Sequence, residues 1–205
     1  MCIRDRLLRT SCGPIEADRV VLATGPAPAA VKRFGGFDLP QRSTPGGIVV
    51  TRPVKQLLHG ILVAPGIHIH QRMDGRLVIG EQDGAPDTAT HAAQLVDRPT
   101  RYPKDLEAEQ HAQRLLATTR NYLPSVGDDE VDEVIIGWRP LPVDGHPVIG
   151  PSPADDRVYV AIMHSGVSLA AITGDLVARE LADGVEMALL RPFRANRVFD
   201  TKFRY

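Results

Sequence analysis

An α/β fold, mixed with α+β elements, is what the 205-residue sequence predicts, and three stretches carry that prediction. Val158, Val160 and Ile162 recur at every second position, and Leu169, Ile172, Leu176, Val177 and Leu181 follow at helical spacing, so a strand feeds a helix there. From Gly47 to Glu81 the pattern is β throughout, GIVVT, GIHIHQ and RLVIGE, with Asp74-Gly75 as a hairpin turn between the last two. Residues 105–123 place Ala108, Ala112, Leu115, Leu116, Thr119 and Leu123 on one helical face, behind Asp105 as an N-cap and ahead of Pro124.

The remaining elements follow in chain order. IEADRVVLATG, residues 15–25, reads as one short strand ending at Thr24-Gly25. Pro26, Pro28, Gly35, Gly36, Pro40 and Pro45 mark residues 26–46 as a connector. Residues 82–104, polar and proline-containing, read as a long surface loop or flap, with a disordered segment as the equal alternative. EVII at 133–136 is a further strand, and Gly137 to Gly150 is punctuated by Pro and Gly into something neither helical nor simply extended. RPFRANRVF, near the C-terminus, reads as a segment packing over the surface.

Composition excludes several classes of function. With 24 basic and 25 acidic residues the formal net charge is -1, which makes no electrostatic case for nucleic acid or an anionic membrane. Apolar runs such as VVLA and GILVAPG are too short to span a bilayer, and charges stand where a signal peptide needs an apolar core, so the expectation is a cytoplasmic protein. Cys2 and Cys12 supply neither a disulfide framework nor a thiolate metal site. The opening MCIRDR resembles the translation of a transposon-derived sequencing adapter, which predicts that residues 1–6 are not native and that the natural protein begins further upstream.

The turn between the strand at 158–162 and its helix is where chemistry is expected. A helix N-terminus exposes unpaired N–H groups and a positive dipole, so an electron-rich ligand is favoured at residues 164–168, with Gly166 allowing close approach. Gly166-Val167-Ser168-Leu169-Ala170 also resembles the G-x-S-x-G nucleophile elbow of the α/β-hydrolases. Chain order opposes that reading: those enzymes place an acid and then a histidine after the serine, and no histidine follows His164.

GWRPLPVDGHPVIGP, then a strand, then MHSGVSLAAITGDLVARELADG, closely resembles the closing half of the flavin-dependent amine and amino-acid oxidoreductases, the superfamily of D-amino-acid, glycine and sarcosine oxidases. RVVLATG likewise resembles the family strand that ends near the bound dinucleotide. The resemblance implies an incomplete Rossmann-like FAD-binding domain, formed by residues 7–45 and 137–205, and a mostly antiparallel substrate domain at 46–136. It implies FAD as cofactor and an amino acid or related amine as substrate, oxidised by hydride transfer to the flavin. Arg139 is then the grip on the substrate carboxylate, since its planar fork matches that group bidentately, and His164 is placed against substrate or flavin. Thr24, Gly25, Gly150, Ser165, Gly166, Val167 and Ser168 become cofactor-binding positions.

Departures from the family pattern carry expectations too. No G-x-G-x-x-G occurs in the 205 residues, so the diphosphate grip is missing, and the chain by itself is expected to be colourless, poorly soluble and inactive. A non-catalytic fragment or a standalone small-molecule binding module is the alternative. Ala171-Ile172 stands where the family has Ala-Pro, and Pro26-Ala27 where it has a small residue and an aromatic. His68 and His70 share a strand face, but two ligands do not make a metal site, so they read as a pocket-lining pair. The acidic run Asp128, Asp129, Glu130, Asp132 and Glu133 reads as a solvated loop, and Trp138 as core or flavin surroundings.

Overall fold

The structure, a computed structural model, describes residues 3–4, 7–81, 97–102, 105–127 and 130–200. The chain divides into two compact units, Met1–Ser43 with Arg139–Tyr205, and Thr44–Trp138. The mixed α/β class read from the sequence holds in both.

The first unit begins with a small antiparallel sheet of β1 (Ile3–Arg4), β2 (Leu7–Thr10) and β3 (Gly13–Glu16). The strand expected over 15–25 is therefore two: Ile15 and Glu16 close β3, and β4 is only Val20–Leu22. β4 pairs in parallel with β11 (Val158–Ile162), Val20 opposite Val158 and Leu22 opposite Val160. On its other side β11 pairs antiparallel with β10 (Val148–Pro151).

Both faces of this sheet are covered, which is why β11 is apolar at nearly every position and not only at alternate ones. Val160 and Ile162 pack with Val31 of α1 (Pro28–Gly35), Leu39, Val148 and Ala195. Tyr159 and Met163 pack the other way, with Leu176 and Val177 of α3 (Ala170–Asp183), Ile149 and Leu190. The result is a three-layer helix, sheet, helix arrangement. Helix α1 falls in the stretch read as connector. Pro28, taken there as a breaker, sits in the first turn, where its missing N–H costs nothing, and Gly36 ends the helix in a left-handed conformation with its N–H bonded to Lys32 O at 3.1 Å.

The second unit holds most of the five-stranded sheet, in the order β6 (Ile61–Ala64), β7 (Ile67–Gln71), β8 (Arg76–Glu81), β5 (Gln41–Pro53), β9 (Val131–Pro142), while the start of β5 through Ser43 and the end of β9 from Arg139 belong to the first. The pairs β6–β7, β7–β8 and β5–β8 are antiparallel. One face packs Val49, Ile67, Ile69, Leu77 and Ile79 against Ala112, Leu115 and Leu116 of α2 (Asp105–Arg120). Helix α2 stops three residues short of the expected end, because the N–H groups of Asn121, Tyr122 and Leu123 turn back onto Thr118 and Thr119 carbonyls. Most of the expected flap, residues 82–96, lies outside the described residues.

Strand β9 corrects two readings. The segment from Gly137 to Pro142 is extended and continues EVII, as an edge strand tolerates Pro140 and Pro142, two apart, with their missing N–H groups on one side. The acidic run is not all loop either. Asp132 and Glu133 lie on β9, where Asp132 pairs with Arg76 and Glu133 with Arg101 at 3.6 Å; Asp128 and Asp129 lie outside the described residues. No described helix is long and apolar enough to cross a membrane.

Candidate functional site

Because β4 and β11 run parallel, both deliver their following residues to the same end of the sheet: Thr24 and Gly25 after β4, and the 164–169 turn after β11. In parallel sheets that carboxyl end is where ligands bind. The turn is built by Leu169 N–H bonding to Ser165 O at 2.9 Å and Ala170 N–H to Val167 O at 3.3 Å. Helix α3 starts at Ala170, two residues beyond the stretch expected to lead it, with Leu169 as an N-cap that offers no side-chain acceptor.

That helix end is chemically unfinished. Its first turn holds no acidic residue, and no described residue accepts a hydrogen bond from the N–H groups of Ser165, Gly166, Val167 or Ser168. His164, Ser165, Gly166, Val167 and Ser168 are all exposed, and Val167 and Ile172 keep 95% and 50% of their surface open. Open donors with a positive dipole behind them suit an electron-rich ring edge. Across from them, Thr24 Oγ1 is buried without a hydrogen-bond partner, and Gly25 lies at φ +54° with open space where a Cβ would stand.

Arg139 lies on β9, half-buried, and its side chain makes no hydrogen bond or ion pair with any described residue. A guanidinium partly withdrawn from water without a carboxylate is free to take one from a ligand. Its neighbour Trp138 is held structurally: Nε1–H donates to Pro99 O at 3.0 Å, and the ring lies 5.7 Å from the Arg98 guanidinium.

Gly150, expected to touch cofactor, has a close protein neighbour. At φ +151° a Cβ there would come within 2.9 Å of Arg194 Cδ, so the arginine stem occupies that space. In the second unit His68, paired across β7–β8 with Gly80, lies over that glycine, where a Cβ would meet Nε2 at 2.2 Å. Among the described residues no cluster of three or more His, Cys, Asp or Glu could hold a metal ion.

Two arginine clasps escaped the sequence reading. A 3-10 helix, Ala188–Phe193, leads to Arg194 and Arg197. Arg194 forks onto the buried carboxylate of Glu180, Nη1 to Oε2 at 2.8 Å, and that carboxylate also accepts from the Tyr159 hydroxyl and from Met187 N–H at 2.7 Å. Burial pushes the Glu180 carboxyl upward, but the donors from Arg194, Tyr159 and Met187 hold it below the usual carboxylate range. Desolvation and the adjacent Glu180 charge push the Tyr159 phenol far up. Arg197 grips buried Asp144 bidentately, Nε to Oδ2 at 2.8 Å and Nη2 to Oδ1 at 2.9 Å. There too burial acts upward, and the Arg197 and His146 N–H donors leave the carboxyl lowered. The only sequence signal was the i, i+3 pair of arginines in RANR, which has no fixed partner until the chain is folded.

Parallel strands that deliver a glycine-bearing end and an open helix N-terminus to one end of the sheet are an arrangement used by nucleotide-cofactor proteins of the α/β kind. The chain belongs to the FAD dependent oxidoreductase family (DAO), whose profile matches residues 3–180. It is 28% identical over 199 residues to the bifunctional protein ThiO/ThiG of Synechocystis sp., covering 94% of this chain and 27% of that protein. Glycine oxidase of Pseudomonas aeruginosa is 28% identical over 182 residues, with 86% and 45% covered. The crystal structure of glycine oxidase from Geobacillus kaustophilus superimposes with a TM-score of 0.69 at 29% identity, covering 95% of this chain and 49% of that one. The chain thus spans between about a quarter and a half of these three relatives. FAD is the family's cofactor, and the orphaned Thr24 hydroxyl, the open Gly25 and the uncapped α3 terminus fit part of it.

Proposed function

We propose that this chain forms the substrate-gripping and flavin-facing part of an FAD-dependent oxidoreductase acting on an amino acid or related amine. The observation that carries the reading is Arg139, a half-buried guanidinium with no carboxylate among the described residues. Its fork binds the substrate carboxylate and thereby fixes the orientation of the Cα–H bond. FAD, when bound, supplies the acceptor for a hydride from that bond, leaving an imino acid that water hydrolyses. Thr24, Gly25 and the N–H groups of Ser165, Gly166, Val167 and Ser168 hold the cofactor, the last four placed at a helix N-terminus where negative charge is stabilised. His164, at the head of the turn, lines the same place. Relatives named glycine oxidase make a small amino acid the first substrate to assay.

The test is Arg139→Ala in the complete gene product, assayed on a panel of amino acids with flavin content measured in parallel. Loss of a charged bidentate partner at a desolvated site is worth about 2 to 5 kcal/mol, so KM rises steeply while flavin content holds. Arg139→Lys recovers only part of the loss, because an ammonium cannot form the fork. Unchanged kinetics in the alanine variant would remove Arg139 from the site.

A further inference from the structure

One polar side chain at the carboxyl end of β4 has a buried acceptor that no described residue satisfies. Gln41, at the start of β5, donates from Nε2 to the carbonyl of Gly25 at 3.1 Å. That bond fixes the amide's orientation, since the reverse would set oxygen against oxygen. Its Oε1 is consequently committed to face the other way, where it is buried and accepts no hydrogen bond from a described residue. Beside it, Ser43 Oγ–H donates to Pro26 O at 3.2 Å, which ties the same strand to the same loop a second time. A buried carboxamide oxygen without a donor is destabilising, and such groups are rare unless a ligand or water completes them. Thr24 Oγ1, one residue before Gly25, is in the same condition, and the backbone at Gly25 lies open.

We propose that Gln41 is a cofactor-binding residue whose Oε1 accepts a hydrogen bond from an O–H or N–H donor of the bound dinucleotide. The chemistry narrows the partner. A carboxamide oxygen can only accept, and the diphosphate oxygens carry no proton to give at neutral pH, so the partner is an O–H or N–H of the ligand's sugar or ring portions. Thr24 Oγ1, able to donate or accept, completes the pair. The inference rests on FAD as the cofactor of this chain and extends that reading to a residue no motif singled out.

The experiment measures FAD dissociation constants by flavin fluorescence in the complete gene product, alongside the melting temperature of the apoprotein. Gln41→Met and Gln41→Asn remove or withdraw the acceptor, and both should weaken FAD about tenfold, the worth of one completed buried hydrogen bond. The apoprotein, which never completes that bond, should melt within a few degrees of wild type. FMN and ADP-ribose, used as separate probes, locate the donor in one half of the dinucleotide: the probe carrying it loses affinity in parallel with FAD, and inorganic pyrophosphate does not. Unchanged FAD affinity with a lowered apoprotein melting temperature would overturn the proposal and mark Oε1 as the site of a structural water. Absence of saturable FAD binding by wild type would overturn the cofactor reading and this inference together, and is told apart by the wild-type titration alone.

Discussion

Arg194→Ala isolates the clasp on which the C-terminal segment of the first unit depends. In the folded protein the Arg194 and Glu180 side chains keep only 16% and 7% of their surface, so little solvent screens them. Removing one partner of such a pair leaves a buried charge, typically at a cost of about 3 to 5 kcal/mol. Tyr159 O–H and Met187 N–H still donate to the abandoned carboxylate, which places the expected loss near the lower bound, about 3 kcal/mol. Part of it comes from the arginine stem that fills the space above Gly150. Urea unfolding at pH 7 reads the loss. The pH dependence identifies its cause. Glu180 is depressed in the folded state, so its stabilisation is present above the unfolded carboxylate value, about pH 4, and disappears as pH falls through the lower folded value. The deficit of Arg194→Ala against wild type should therefore shrink as pH falls below about 4 and vanish only below the lower folded value, where both proteins hold a neutral carboxyl. Replacing both partners, Arg194→Met with Glu180→Met, should cost less than the single change. A loss under about 1 kcal/mol, the worth of an exposed pair, or a deficit that persists undiminished at acid pH, would refute the reasoning.

Further predictions bear on other elements. Arg197→Ala, which strands the buried Asp144 carboxylate, should destabilise by about 3 kcal/mol at neutral pH, and the same acid titration should erase the difference, since Asp144 is also lowered by its arginine. Gly80→Ala would set a Cβ 2.2 Å from His68 Nε2; the ring must leave its seat, and a cost of about 1 to 3 kcal/mol is expected for such overpacking, read by calorimetry and by the shift of the His68 ring signals in NMR. Leu116→Ala empties a fully buried position between α2 and the sheet and should cost about 2 to 5 kcal/mol, measured by urea unfolding.

Legibility in the sequence followed the range of the interactions. The β11–turn–α3 unit was readable because its two periodicities are local and adjacent, and the hairpin of β7 and β8 because Asp74-Gly75 carries its own turn chemistry. Prolines misled in both directions. Pro28 reads as a breaker until it is placed at a helix start, and Pro140 and Pro142 read against a strand until β9 is known to be an edge. Strand β4, a mere three residues, was overextended because its neighbours Ile15 and Ala23 are apolar for other reasons, Ile15 as part of a separate hairpin. The clasps were invisible for a third reason: Arg194 meets a carboxylate 14 residues away and Arg197 one 53 residues away, and no spacing rule links arginines to partners chosen by packing.

The same distinction explains why Gln41 carried no signal and Thr24 did. Thr24-Gly25 ends an apolar strand run, a pattern visible in eleven residues of sequence, whereas Gln41 acquires meaning only when β5 returns its amide to the Gly25 carbonyl, 16 residues away. A glutamine at the head of a strand is otherwise unremarkable, being soluble, exposed by default and free to bond with water. Here the fold withdraws it from water, satisfies its donor and leaves its acceptor open. That asymmetry cannot come from stability, because an unsatisfied buried oxygen lowers it. It is what a group arranged for a donor from outside the described residues looks like.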